Sequence, residues 1–288
     1  MPLAHLTTLL AEAAAGRRGL GAFNVIQLEH AEALVAGAAA AGAPVVLQIS
    51  QNAARWHGAL APIALATLAV ARAAPVPVAV HLDHAESTDL VAQAVELGLT
   101  SVMFDGSRLP YEVNVAETAR VVARCHAAGV GVEAELGVVG GKDGVHAPGA
   151  RTRPGEAAAF VAATGVDALA VAVGSSHAMT TRDAVLDLGL VAKLAAAVDV
   201  PLVLHGSSGV PDAQLTAAVE AGLVKVNIAT HLNHVFTDAV RARLAADPAL
   251  VDTRAYLGAA RDAVAGEVTR LLGVLCATGA TGTAGGRG

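Results

Sequence analysis

The segment Pro77–Ser87, PVAVHLDHAES, begins as a short apolar strand between prolines and ends in His81, Asp83 and His84. Burying imidazoles and a carboxylate at the end of such a strand is costly unless these groups are paired or bind a metal. Side chains alternate along a regular strand, so the pattern predicts His81 and Asp83 on one face and His84 on the other. By itself, the HxDH spacing leaves two interpretations open, a metal site and a set of structural histidines.

A short apolar strand followed by a helix or a long loop recurs eight times along the chain. Short βα units of uniform composition predict the α/β class and a single (β/α)8 TIM barrel. A doubly wound parallel sheet is the alternative, but no phosphate-binding GxGxxG follows the first strand. We expect the barrel to occupy residues 1–276 and the glycine-rich residues 277–288 to form a flexible tail. After a lead-in helix over Thr7–Ala15, the predicted strands are Gly21–Val25, Pro44–Ser50, the segment quoted above, Thr100–Phe104, Gly131–Glu135, Ala168–Val173, Pro201–Leu204 and Leu223–Val226.

The composition excludes several classes of protein. Of the 288 residues, 54% are hydrophobic and 15% are charged, which suits a large core with both faces of a sheet covered. The formal net charge of −6 argues against nucleic acid as a partner. Two distant cysteines, Cys125 and Cys276, provide no disulfide framework and fit a reducing compartment. Because no targeting segment is recognisable, we expect a cytoplasmic protein without a membrane partner.

Polar side chains cluster where the predicted strands end. In a barrel, the carboxyl ends of all strands meet at one rim, which is where the active sites of TIM barrels lie. The convergence of nine polar side chains therefore predicts a functional site at that rim. These side chains are Asn24, Ser50, Asp83, His84, Asp105, Glu135, His177, His205 and Asn227.

Three histidines, His84, His177 and His205, follow the third, sixth and seventh predicted strands. Each comes after a run of aliphatic residues, so a shared metal explains them better than three independent buried imidazoles. Three imidazoles with one open position are a common arrangement of catalytic zinc. We expect His81 to orient its neighbours rather than to bind the metal. Six other histidines lie on predicted helices or loops and are expected to be solvated: His5, His30, His57, His126, His231 and His234.

Six segments resemble the class II (zinc-dependent) ketose-bisphosphate aldolases and occur in the order of that family. The similarity extends from Gly21 to about Tyr256 and is nearer to the tagatose-bisphosphate type than to the longer fructose-bisphosphate type. The segments are HLDHAES (81–87), VMFDGS (102–107), VEAELGVVGGKDG (132–144), LAVAVGSSHAM (169–179), PLVLHGSSGVPD (201–212) and KVNIAT (225–230).

The resemblance implies reversible retro-aldol cleavage of a ketose 1,6-bisphosphate, of fructose or tagatose, to dihydroxyacetone phosphate and glyceraldehyde 3-phosphate. The reaction passes through an enediolate, whose charge a Lewis-acidic metal stabilises. The family pattern implies zinc on His84, His177 and His205. It makes Asp83 the acid and base at the hydroxyl beside the broken bond, and Glu135 a nearby carboxylate that would contact the metal in another position. It also implies a homodimer or homotetramer. The substrate-binding residues would be Asn24, Ser50 and Gly174, with Gly206, Ser208, Asn227 and Thr230 holding a phosphate.

The chain departs from the family pattern at two places. Ala178 stands where the family has a glycine that contributes to a monovalent cation site, for Na⁺ or K⁺. The loop 137–153 contains one acidic residue, Asp143, where fructose-type members have a catalytic carboxylate pair. We predict that Asp143 removes the carbon-bound proton, with Glu135 as the alternative. The glycines of this loop favour a lid that closes over substrate, and a surface connector is the other interpretation.

Four other functional interpretations stay open. Lys225 shares the strand parity of Asn227 and so points into the barrel, as a Schiff-base lysine would. A lysine that fills the barrel interior and pairs with a carboxylate explains the same parity. Three histidines and a water also suit a zinc hydrolase. The third interpretation is an aldolase of the same family that acts on 2-deoxy-5-keto-gluconate 6-phosphate. The fourth is a non-catalytic barrel that binds sugar phosphates.

Overall fold

The computed structural model describes residues 2–136, 151–176 and 181–277. Eight parallel strands form a closed barrel in which each strand pairs with its neighbours in sequence and the eighth pairs with the first. The predicted TIM barrel is confirmed, and the doubly wound sheet is excluded because the sheet has no open edge. The strands are β1 (Leu20–Asn24), β2 (Val45–Ser50), β3 (Val78–Ala85), β4 (Ser101–Phe104), β5 (Gly131–Glu135), β6 (Ala168–Ala170), β7 (Leu202–Leu204) and β8 (Leu223–Ile228).

Helices surround the barrel and connect consecutive strands. Within the described ranges, none is both long enough and apolar enough to cross a lipid bilayer. The helices are α1 (Leu6–Ala15), α2 (Leu28–Ala41), α3 (Gln51–Trp56), α4 (Leu60–Ala73), α5 (Thr88–Leu97), α6 (Tyr111–Ala127), α7 (Pro154–Thr164), α8 (Leu188–Ala197), α9 (Asp212–Glu220), α10 (Thr230–Ala246) and α11 (Thr253–Cys276).

Two apolar cores hold the barrel together, and strand alternation assigns residues to one or the other. On β2, Val45 and Leu47 belong to the outer core between strands and helices, whereas Val46 belongs to the core inside the barrel. Leu6 and Leu9 of α1 lie in the inner core as well, so this helix covers the amino-terminal end of the barrel. Because both faces of the sheet are buried, the strands have nearly continuous hydrophobic sequences. The opposite, carboxyl-terminal rim is left for polar residues.

Small residues allow the close packing of α2 against α11. A Cβ atom on Gly37 would lie 2.6 Å from the carbonyl oxygen of Ala265 and 2.8 Å from Val268. Thr269 Oγ1 donates a hydrogen bond across the same contact to the carbonyl of Gly37 at 3.1 Å. Any side chain larger than hydrogen at position 37 would therefore force the two helices apart.

Two local signals start and stop α5. Ser87 Oγ accepts a hydrogen bond from the backbone N–H of Leu90 at 3.3 Å, and Gly98 ends the helix in the left-handed conformation with φ of +86°. The short helix α3 was not predicted from the sequence. It begins where Ser50 Oγ accepts a hydrogen bond from the backbone N–H of Ala53 at 3.1 Å. This cap turns the chain sharply at the rim, so residues of α3 face the cavity described next.

Candidate active site

A cavity of about 310 Å³ opens at the carboxyl ends of the strands. Two of the nine side chains predicted for the rim, Asp105 and Glu135, lie behind His84. Their carboxylate oxygens are 2.7 and 4.0 Å from its Nδ1. The last of the nine predicted side chains, His177, lies outside the described residues. Six of the nine line the cavity: Asn24, Ser50, Asp83, His84, His205 and Asn227.

Strand β3 is irregular at the point where its polar residues emerge. Its pairing register with β4 shifts between Leu82 and Ala85, and His84 has φ of +51°, in the left-handed region. A non-glycine residue in that conformation costs roughly 1–2 kcal/mol. The turn brings both Asp83 and His84 to the cavity wall. The predicted separation of these two residues onto opposite faces is therefore wrong, because alternation holds only while a strand stays regular.

Two imidazoles meet in the cavity. Nδ1 of His84 lies 2.7 Å from Oδ2 of Asp105. Nε2 of His205 lies 2.8 Å from Oε1 of Glu133. Because an ionised carboxylate only accepts hydrogen bonds, each imidazole keeps its proton on the nitrogen that faces the carboxylate. The lone pairs are then on Nε2 of His84 and Nδ1 of His205, which are 2.9 Å apart. Lone pairs this close repel unless a proton or a metal ion lies between them, so the donor set fits a metal as well as a shared proton.

Asp83 is the third potential ligand in this group. One carboxylate oxygen of Asp83 and one ring nitrogen each of His84 and His205 all lie within 4.8 Å of one another. Its Oδ1 atom is buried and accepts no hydrogen bond from any described residue. Burial by itself raises the pKa of Asp83, but the neighbouring His84 and His205 lower it below the usual value. The carboxylate therefore stays ionised and is available to a metal or to a proton.

The electrostatics around His84 also favour a cation. Burial lowers the pKa of this imidazole, but the negative charges of Asp83, Asp105 and Glu135 outweigh burial and raise the pKa to about 9. Three carboxylates around one imidazole make the pocket strongly negative. Such a pocket is stabilised by a proton or by a metal ion.

Residues 4–280 match the family model described as fructose-bisphosphate aldolase class-II. The chain belongs to the class II fructose-bisphosphate aldolase family. A fructose-bisphosphate aldolase of Geobacillus stearothermophilus is 40% identical to it over 268 residues, covering 92% of this chain and 93% of that protein. The fructose-bisphosphate aldolase of Giardia intestinalis is 35% identical over 290 residues, covering 92% and 90%. The resemblance found in the six sequence segments is confirmed, and with it the assignment as an enzyme.

Solved aldolase structures share the fold. The YdjI aldolase from Escherichia coli K12 has a TM-score of 0.83 at 30% identity, over 95% of this chain and 97% of that one. A putative fructose-1,6-bisphosphate aldolase from Coccidioides immitis has a TM-score of 0.83 at 28% identity, over 94% and 96%. The barrel of this aldolase is thus the barrel of its family over nearly its whole length.

A layer of buried polar residues supports the aldolase site from below. Nζ of Lys225 donates to Oε2 of Glu133 at 2.8 Å, and both side chains are fully buried. His81 lies in the same layer, with its Nδ1 2.8 Å from Oγ of Ser101. Burial, and then the charge of Lys225, lower the pKa of His81 to about 3, so this imidazole is neutral. Lys225 is not among the described residues of the cavity wall, which contradicts the Schiff-base interpretation and agrees with the paired lysine.

The exits of β7 and β8 form one end of the cavity. Gly206 has φ of +66°, a conformation that favours glycine, and leads into a short 3₁₀ turn over Ser207–Gly209. Ser208 Oγ accepts a hydrogen bond from the backbone N–H of Ala229 at 3.2 Å, which joins the two exits. The four residues that the family pattern assigns to a phosphate all line this end: Gly206, Ser208, Asn227 and Thr230.

Several residues of the cavity wall were not predicted from the sequence. Gln48 shares the parity of Ser50, a signal that was available, and its Nε2 donates to Oδ1 of Asn24 at 2.7 Å. The others depend on the unpredicted helix α3 or on turns beyond the strand ends, and none was identified as a site residue from the sequence. They are Gln51, Asn52, Arg55, Glu86, Arg108 and Ala229.

Some predicted residues lie outside the cavity or outside the described ranges. Gly174, predicted to bind substrate, is not among the residues that line the cavity. Its φ is +123°, and a Cβ atom there would lie 2.5 Å from the carbonyl oxygen of Val185, so a backbone requirement explains this glycine. Asp143, Ala178, most of the predicted lid and nearly all of the predicted tail fall outside the described residues.

One histidine predicted to be solvated is buried. His30 on α2 is 4% exposed, and its ring stacks on Phe236 of α10 with ring centroids 4.8 Å apart. Neither ring nitrogen has a hydrogen-bond partner among the described residues. Burial lowers the pKa of His30 to about 4, although Glu29 opposes the shift. Its spacing of four residues from the buried Leu34 places His30 on the apolar face of the helix, so the prediction of a solvated imidazole was wrong.

Proposed function

We propose that this aldolase reversibly cleaves fructose 1,6-bisphosphate to dihydroxyacetone phosphate and glyceraldehyde 3-phosphate. One observation supports this most directly. The facing nitrogens of His84 and His205 lie 2.9 Å apart beside Asp83, in a cavity at the carboxyl rim of a class II aldolase barrel. The choice of fructose follows the relatives at 35–40% identity, whose names are fructose-bisphosphate aldolase.

The metal in this proposal is zinc. Nε2 of His84 and Nδ1 of His205 would hold it, together with His177, which lies outside the described residues. When bound, zinc supplies the positive charge that polarises the substrate ketone and stabilises the enediolate. Asp105 and Glu133 keep the two imidazoles oriented, since each carboxylate accepts a hydrogen bond from the ring N–H that faces away from the cavity.

Asp83 moves the proton of the carbon–carbon bond cleavage. As the C3–C4 bond breaks, its carboxylate takes the proton from the C4 hydroxyl, and that oxygen becomes the aldehyde oxygen of glyceraldehyde 3-phosphate. The electron pair of the broken bond stays on C3 as the enediolate. In the condensation direction Asp83 returns the proton to the new hydroxyl. Its buried and ionised carboxylate suits a general base.

A second acid must deliver a proton to C3 of the enediolate to complete dihydroxyacetone phosphate. We assign this role to Asp143, with Glu135 as the alternative because its Oε2 lies 4.0 Å from Nδ1 of His84. The phosphate of the same half would bind at the exits of β7 and β8, where barrels often hold phosphate. Gly206, Ser208 and Thr230 provide backbone N–H groups and hydroxyls there.

The test is cleavage of a small panel of sugar phosphates by the purified, zinc-loaded enzyme. The panel contains fructose 1,6-bisphosphate, tagatose 1,6-bisphosphate and 2-deoxy-5-keto-gluconate 6-phosphate. We expect fructose 1,6-bisphosphate to have the highest kcat/KM, of about 10⁴ M⁻¹s⁻¹ or more. Chelation should abolish cleavage, and added zinc should restore it.

Three results would contradict the proposal. A preference for another member of the panel would change the substrate. Activity that survives complete chelation, with borohydride trapping of a lysine, would replace zinc by a Schiff base. An enzyme that binds the sugar phosphates but cleaves none of them would be a non-catalytic barrel.

A further inference from the structure

The cavity extends across the mouth of the barrel between two opposite groups of strands. In a closed eight-stranded barrel whose strands follow in sequence order, β3 lies diametrically opposite β7. The phosphate end described above belongs to β7 and β8. The imidazoles of His84 from β3 and His205 from β7 meet in the middle, with ring centroids 4.7 Å apart. A bisphosphate bound across these imidazoles would therefore have its second phosphate over the exits of β2, β3 and β4.

Two arginines line the cavity at that second end. Arg55 belongs to α3, which follows β2, and Arg108 lies in the turn after β4. Among the described residues of the cavity wall, these two are the only arginine or lysine side chains. The first phosphate end is lined by glycine, hydroxyl and amide groups instead. The cationic side chains of the cavity are therefore concentrated at the end farthest from β7 and β8.

Glu86, which follows β3, lies between the two arginines. Nη2 of Arg55 is 3.9 Å from Oε2 of Glu86, and Nε of Arg108 is 3.9 Å from Oε1. The backbone N–H of Glu86 donates to Oε1 of Gln51 at 3.0 Å, which ties this residue to α3. The carboxylate thus gathers both guanidinium groups at one place, and the three side chains have a net charge of +1.

We propose that Arg55 and Arg108 form the subsite for the phosphate of the aldehyde half, carbons four to six of the substrate. This inference rests on the proposed function and adds the residues that select a phosphorylated aldehyde. A phosphate dianion accepts charge-assisted hydrogen bonds from two guanidinium groups more strongly than from neutral donors. The arginine side chains are 66% and 48% exposed, so both can turn from Glu86 toward an entering phosphate.

The test separates the two halves of the substrate by running the reaction as a condensation. Wild type, Arg55→Gln, Arg108→Gln and the double variant are assayed with dihydroxyacetone phosphate and glyceraldehyde 3-phosphate, each varied in turn. We expect the KM for glyceraldehyde 3-phosphate to rise at least about tenfold in the double variant, with a much smaller change for dihydroxyacetone phosphate. With unphosphorylated glyceraldehyde as the acceptor, the difference in acceptor KM between wild type and the double variant should be smaller.

Two further variants make the comparison specific. Ser208→Ala, at the other end of the cavity, should show the mirror pattern and raise mainly the KM for dihydroxyacetone phosphate. Arg120→Gln removes an exposed arginine of α6 whose contact is Glu117, and it controls for the loss of one surface charge. Bound zinc is measured for each variant to confirm that the metal site is retained.

The outcomes distinguish this inference from the function on which it rests. If wild type condenses the two triose phosphates but the double variant leaves the KM for glyceraldehyde 3-phosphate unchanged, the arginine subsite is wrong and the proposed function stands. Equal rises in the KM values for glyceraldehyde 3-phosphate and dihydroxyacetone phosphate would also show that the arginine subsite is wrong. If wild type does not condense them at all, the proposed function fails, and this inference fails with it.

Discussion

Nζ of Lys225 donates a hydrogen bond to Oε2 of Glu133 at 2.8 Å inside the barrel, and both side chains are fully buried. Removing one partner of a buried ion pair leaves the other charge uncompensated. We therefore expect Lys225→Met to lower the free energy of unfolding by about 3–5 kcal/mol, measured by urea denaturation. Lys193→Met, at an exposed position of α8, is the matched control and should change it by less than about 0.5 kcal/mol. Equal effects of the two substitutions would show that the buried pair is not important for stability.

Glu133 also lies 2.8 Å from Nε2 of His205, so it connects the ion pair to the predicted metal site. Its burial raises the pKa of Glu133, but Lys225 and His205 reverse this and hold the pKa well below the usual value. Glu133→Gln should weaken zinc binding by about 10–100-fold, because His205 loses the charged acceptor that orients it. Competition with a chromophoric chelator measures this affinity without an activity assay. Unchanged zinc affinity would mean that Glu133 has no positioning role.

Asp83 is predicted to transfer a proton without being required to hold the metal. Asp83→Asn keeps the size of the side chain but removes the base, so cleavage of fructose 1,6-bisphosphate should fall by roughly 10²–10⁴-fold. Zinc content per chain should stay near that of wild type. A variant that cleaves within a few-fold of wild type would refute the role of base, and a variant that loses its zinc would make Asp83 a ligand instead.

The proton on the carbon of dihydroxyacetone phosphate provides a separate assay for Asp143. Asp143→Ala should slow hydrogen–deuterium exchange at the hydroxymethyl carbon by roughly 10²-fold or more, because the base is lost. The affinity for dihydroxyacetone phosphate should change little. Glu135→Gln is compared in the same assay. Normal exchange in Asp143→Ala and slow exchange in Glu135→Gln would assign the base to Glu135.

His30 predicts a pH dependence of stability. Its pKa is about 4 in the folded protein and near 6.5 in the unfolded chain, so the unfolded chain takes up the proton first as the pH falls. Stability should therefore decrease between pH 6.5 and pH 4, by up to about 3 kcal/mol from this residue. His30→Leu should flatten the curve of unfolding free energy in that window. Parallel curves for wild type and variant would show that the imidazole does not contribute.

Local sequence patterns were sufficient to predict the eight strands, several of the helices and the rim on which the site lies. Ser87 and Gly98 bound α5 through contacts that span only a few residues, so their effect can be predicted from adjacent positions. Eight repeats of strand and helix imply a closed parallel sheet, and such a sheet directs every strand end to one rim. That reasoning placed Asn24 and His205 in one cavity although 181 positions separate them.

The tertiary structure alone decided which side chains meet within that rim. His84 turns toward Asp83 because β3 breaks its register with β4, and Lys225 pairs with Glu133 across 92 positions. The meeting of Arg55 and Arg108 at Glu86 depends in the same way on segments that follow three different strands. Sequence periodicity reports only which face of its own element a residue occupies. The stagger and tilt of the closed barrel determine the partner on another element, and they arise from the packing of all eight strands at once.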